Sequence, residues 1–108
     1  LVPLTIDEAI PVSLIASELI SNAIRHAFKG REKQGRLSIA AFAEASVMRL
    51  EIKDDGIGLP EGFEARAAET LGMRLITLLA QQLKGDVSFV SEAGTRATLR
   101  FPLSARHA

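Results

Sequence analysis

The chain has 108 residues, 47% apolar and 24% charged, with 13 basic and 13 acidic side chains and no cysteine. That composition suits one compact domain of about 100–150 residues and excludes disorder, a disulfide framework and thiolate chemistry. Balanced charge, phenylalanine as the only aromatic and no apolar run near the roughly 20 residues that cross a bilayer argue against nucleic-acid binding and direct membrane contact.

The first residue is Leu1 rather than Met, so a piece of a longer protein is expected. Residues 1–5 are apolar around Pro3 and suit an edge strand. Asp7 and Glu8 open a helix, where acids meet the positive end of the helix dipole. Pro11 either kinks its first turn or marks its true start. Over residues 12–28, Val12, Ile15, Leu19, Ala23 and Ala27 recur at helical spacing, and Gly30 supplies the stop. Residues 29–36 form a polar loop. Residues 37–42 and 47–53 read as strands joined through Glu44, Ala45 and Ser46. Met48, Leu50 and Ile52 alternate with Arg49, Glu51 and Lys53, so one face is buried and the other wet.

Residues 54–69 carry too many glycines and acids for a regular element. Residues 70–84 form the second strong helix, with Leu71, Leu75, Leu78, Leu79 and Leu83 as its apolar stripe and Gly85 as its stop. Residues 87–91 and 96–103 close the chain as paired strands around Glu92, Ala93 and Gly94, with Ala97, Leu99, Phe101 and Leu103 on one face. This order predicts an α+β fold, with helices on one face of a largely antiparallel sheet.

Four local features carry chemistry. Glu18, Asn22 and Arg25 share one side of the first helix, beside His26. A solvated stripe gives the same spacing, yet Asn is a poor choice for an exposed helix interior. Asp54, Asp55, Gly56, Ile57 and Gly58 leave a strand. They make either a common Asp-Gly turn or a loop whose backbone approaches a ligand while Asp54 accepts from it. Gly72, in the first turn of the second helix, either serves packing or opens free N–H groups to an anion. Gly94 and Thr95 alone are a hairpin turn. A calcium loop, a Gly-Lys-Ser/Thr phosphate loop, a histidine zinc site and a Gly-x-Ser-x-Gly hydrolase are all missing.

In this order the features resemble the four boxes of a sensor histidine kinase ATP-binding domain, from the ATPase superfamily shared with gyrase, a heat-shock chaperone and mismatch-repair proteins. Residues 18–28 resemble the N box, 54–60 the first glycine box, 70–75 the second, and 94–102 the terminal Gly-Thr strand. The His-Ala-Phe ending at His26, Ala27 and Phe28 resembles a subgroup common in alpha-proteobacteria. The resemblance implies a two-layer α/β sandwich with a mixed, mostly antiparallel sheet, and ATP and Mg²⁺ as cofactors. Asn22 would hold the metal and Glu18 would position the attacking group. Arg25 and His26 would lie near the phosphates, and Asp54 would accept from the adenine amino group. Gly56 and Gly58 would let the backbone bend under the base. Gly72 would present N–H groups to phosphate, and Thr95 would support Asp54 through a water. Apart from the resemblance, apolar residues such as Ile52, Ile57 and Leu71 are candidates to line an adenine slot, with an aim that the sequence does not give.

Two departures stand out. The segment 61–69 is short for a lid, and the second glycine box holds one glycine, Gly72. The implied activity is transfer of the γ-phosphate to a histidine on a separate dimerisation domain, for relay to a response regulator. The domain is expected to be cytoplasmic and, by itself, monomeric. The alternatives are an anti-sigma-factor-type serine kinase and a nucleotide-binding or interaction module without kinase activity.

Overall fold

Thr5 begins the fold by closing a reciprocal cap on helix α1 (Ile6–Asn22). Its Oγ1 accepts from the Glu8 N–H at 3.3 Å, and Glu8 Oε1 accepts from the Thr5 N–H at 2.9 Å. Two main-chain donors at the helix start are thereby satisfied, and the buried Glu8 is a cap partner as well as a dipole charge. The computed structural model describes residues 4–27, 35–58, 70–91 and 93–103. Leu4 and Thr5 are not strand, because Thr5 is committed to the cap; the rest of the expected first strand lies outside the described residues. Pro11 is not the helix start either. It is buried inside α1, and without an N–H it makes no i→i−4 bond to the Asp7 carbonyl.

The sequence reads as one helix to Phe28, but the α-helical winding stops at Asn22. Ala23–Ala27 continue as a π-helical turn. The wider turn re-aims the side chains that follow Asn22, and such turns concentrate at functional sites. Phe28 and Gly30 lie outside the described residues.

Strands β1 (Leu37–Glu44), β2 (Val47–Asp54), β3 (Asp86–Ser91) and β4 (Thr95–Pro102) form one sheet in the order β1-β2-β4-β3. Every pairing among the described strands is antiparallel. Between β2 and β3 the chain passes through helix α2 (Leu71–Gln82). The expected alternation in β2 and β4 holds: Met48, Leu50, Ile52, Ala97, Leu99 and Phe101 are buried. They pack beneath Val12, Ile15 and Leu19 of α1.

The apolar stripe of α2 agrees with the expected one at Leu79 and Leu83 and differs from it at Leu71, Leu75 and Leu78. Ile76, Leu79, Ala80 and Leu83 fill the core, whereas Leu71 is 84% and Leu78 57% exposed, and Leu75 is exposed as well. Both sets have helical spacing, but only the one containing Ile76 faces the sheet. The expected stop at Gly85 is also shifted by one residue. Lys84 takes the left-handed conformation at φ 60°, its N–H bonds to Gln81 O, and the Gly85 N–H bonds to Ala80 O, each at 2.9 Å. That is a Schellman closure with lysine in the usual glycine place. Gly85 is instead required because a Cβ there would run into the Arg100 carbonyl and Phe101 Cβ.

The β1–β2 hairpin turns through Ala45 (φ 50°) and Ser46 (φ 68°), two residues that pay for left-handed backbone. Replacing them together by Asn and Gly is expected to raise stability by about 1–2 kcal/mol. A higher urea midpoint at unchanged slope is the measurement that checks it.

Candidate functional site

One end of the sheet is a row formed by Leu37, Asp54, Thr95 and Ser91, each the terminal residue of its strand and paired with its neighbour. Asp54 stands in the middle of this row and is only 5% exposed. Its Oδ1 accepts from the N–H of Gly56 at 2.9 Å and of Thr95 at 3.1 Å. Its Oδ2 accepts no hydrogen bond from the described residues. One oxygen is thus fixed by main-chain donors, and the other keeps its acceptor capacity. Thr95 supports Asp54 through its backbone N–H.

The loop after Asp54 is fastened at several points. Asp55 Oδ1 accepts from the Arg36 N–H at 2.9 Å, tying the loop to the entry of β1. Gly58 has φ +81°, and a Cβ there would lie 2.6 Å from Ser91 Oγ. Gly94 has φ +123° and lies against the backbone of Asp54 and Asp55, too close for any side chain. Sequence reading treats Gly94 as a turn residue and passes over Ser91. The Gly-Thr pair after the hairpin is the signal that this turn abuts the Asp54 loop.

Helix α1 brings its polar side to the same end. Ala23, next to Asn22, is buried against Leu37, whose strand partner is Asp54. Asn22 Oδ1 accepts from Arg25 Nη2 at 2.7 Å. A carbonyl oxygen has two lone pairs, so one remains for a ligand. Glu18 lies one turn earlier, and its Oε2 would be 2.8 Å from a Cβ at Gly72. The carboxylate therefore abuts the start of α2, where Thr70 caps the helix by accepting from the Met73 N–H at 3.2 Å.

The structure thus gathers Glu18, Asn22, Arg25 and Gly72 over one end of the sheet and Asp54, Gly56, Gly58 and Thr95 along it. His26 lies in the π-helical turn, and its side chain lies outside the described residues. Ile52 is 4% exposed and belongs to the core. Ile57 and Leu71 are 71% and 84% exposed. Among the described residues, no three His, Cys, Asp or Glu side chains cluster as a metal cage. No described helix is long and apolar enough to cross a membrane.

Residues 7–105 match the family of histidine kinase-, DNA gyrase B- and HSP90-like ATPases. The chain belongs to this family. Within this ATPase family, it is 34% identical over 103 residues to the sensor histidine kinase PdtaS of Mycobacterium tuberculosis, covering 93% of this chain and 21% of that protein. It therefore spans about a fifth of the length of that curated relative. The histidine kinase domain of the Erythrobacter litoralis EL346 blue-light activated histidine kinase superposes with a TM-score of 0.82 at 28% identity, over 94% of this chain and 47% of that one. The anti-sigma F factor of Geobacillus kaustophilus is 36% identical over 62 residues, 57% of this chain and 42% of that protein.

Proposed function

We propose that this chain is the ATP-binding catalytic domain of a sensor histidine kinase. It binds Mg-ATP and transfers the γ-phosphate to a histidine on a separate phosphoacceptor domain, for relay to a response regulator. The observation that carries this reading is the buried Asp54 carboxylate. Its Oδ1 is held by two main-chain amides, so its Oδ2 is oriented to accept from an exocyclic amino group such as that of adenine. Gly56 and Gly58 keep the adjoining backbone free of side chains beside the base.

At the phosphate end, Asn22 would hold magnesium, with Glu18 one turn away. One amide oxygen and a nearby carboxylate suit a small cation that takes waters and phosphate oxygens as its other ligands. Bound magnesium supplies charge neutralisation across those oxygens. Arg25 and His26 add cationic or hydrogen-bonding contacts to the phosphates, and Gly72 opens the start of α2 toward them. Glu18 positions the incoming acceptor. Phosphoryl transfer asks mainly for such positioning and charge balance. The reaction takes place in the cytoplasm, where ATP and the response regulator are found.

Asp54→Asn tests the reading. Asn keeps one oxygen for the two amides and replaces the other acceptor with a donor. Calorimetric titration with Mg-ATP is expected to show binding about 10–100-fold weaker, as for loss of a charged hydrogen bond. Unchanged affinity removes the adenine contact. The match to an anti-sigma F factor favours a serine kinase as the second reading, over a smaller share of the chain. Acid-stable phosphate on the acceptor protein decides for it, and acid-labile phosphate for the histidine kinase. Nucleotide binding that ignores Mg²⁺ would instead fit an interaction module.

A further inference from the structure

The outer face of the sheet, away from α1 and α2, breaks a rule of strand pairing. The outward residues of β2 are Val47, Arg49, Glu51 and Lys53, and those of β4 are Arg96, Thr98, Arg100 and Pro102. These eight positions of the two central strands hold four cations and one acid. The register sets Arg49 directly opposite Arg100 and Lys53 directly opposite Arg96. Like charges in direct cross-strand register cost stability, and a local conflict of this kind is retained where it serves recognition. The two cationic rows lie four residues apart along the strands, roughly 13 Å.

Arg49 is held for use. Its guanidinium lies 4.6 Å from the centroid of the Phe42 ring, its cross-strand partner. Its Nε is 3.2 Å from Glu51 Oε2, a charge contact without hydrogen-bond geometry. The side chain is nevertheless 42% exposed. A stacked, half-exposed guanidinium is a preorganised fork for a carboxylate.

We infer that this outer face docks an acidic protein surface, one whose Asp or Glu side chains meet Arg49, Lys53, Arg96 and Arg100. A continuous polyanion fits less well. Glu51 lies among the cations, and Asp86 lies opposite Arg100 on β3. Phe42 and Val47, 42% and 37% exposed, add apolar contact of the kind a protein interface uses. The Lys53–Arg96 row adjoins the Asp54–Thr95 row, but along β2 Lys53 is exposed on the outer face where Asp54 is buried on the other.

The test titrates the isotope-labelled chain with a Glu-rich helical peptide at near-physiological salt and maps amide shifts. Shifts centred on Arg49, Lys53, Arg96 and Arg100 are expected. Lys53→Glu and Arg100→Gln should each weaken binding about tenfold while leaving Mg-ATP affinity unchanged. Lys53→Glu should also leave the urea midpoint equal or higher, because a like-charge pair becomes an opposite-charge one. Shifts elsewhere, no loss in either variant, or tighter binding of duplex DNA or phosphatidylserine vesicles to this face would overturn the proposal.

Discussion

Gly94→Ala is expected to lower the unfolding free energy by about 4 kcal/mol and to abolish Mg-ATP binding by the remaining folded protein. Two costs add. The φ of +123° lies where only glycine is comfortable, a penalty of about 1–3 kcal/mol. The new Cβ would also strike the Asp54 carbonyl oxygen and the Asp55 Cα, which are backbone atoms and cannot swing aside. Overpacking of that kind costs about 1–3 kcal/mol more. Relief requires β4 to move away from the Asp54 loop, and that movement breaks the Thr95 N–H contact to Asp54 Oδ1. Urea unfolding with and without Mg-ATP measures both effects. The midpoint should fall, and the nucleotide should no longer raise it. A midpoint within error of the parent chain refutes the steric argument.

Phe101→Ala is the companion experiment, with a similar loss and a different signature. Phe101 is 2% exposed and pairs with Met48 at the far end of β2 and β4 from Asp54. Truncating a buried phenylalanine costs about 3–5 kcal/mol, a large part of the roughly 5–15 kcal/mol that a domain commands. Phe101 is six residues along β4 from Thr95 and so lies away from the site row. Mg-ATP should therefore raise the urea midpoint of this variant by the same increment as in the parent, although from a lower start. Loss of that increment would tie the far end of the core to the nucleotide site.

Much of this architecture is written locally. The alternation of Met48, Leu50 and Ile52, answered by Ala97, Leu99 and Phe101, requires a sheet with one buried face. The steps Val12, Ile15 and Leu19 require a helix above it. The failures come where two local readings are equally good and only tertiary packing decides. Leu71, Leu75 and Leu78 are as periodic as Ile76, Leu79 and Leu83, and nothing short of the docked sheet tells them apart. Gly85 as a steric relief is likewise fixed by Arg100, fifteen residues onward.

The candidate site was legible as a set of residue types and illegible as a mechanism of support. Glu18, Asn22, Asp54 and Gly72 stand out for their chemistry. That Glu18 abuts Gly72, that Gly94 presses on Asp54, and that Ala23 anchors Asn22 over Leu37 are facts of convergence. Spacing along the chain does not encode them.

The two groups that fix Asp54 Oδ1 are peptide N–H groups from Gly56 and Thr95, not side chains. Every residue except proline brings such a group. The orientation of this carboxylate is therefore insulated from mutational drift in the identity of its donors. A change of side chain at Thr95, proline excepted, leaves the donor that keeps this acceptor in its direction.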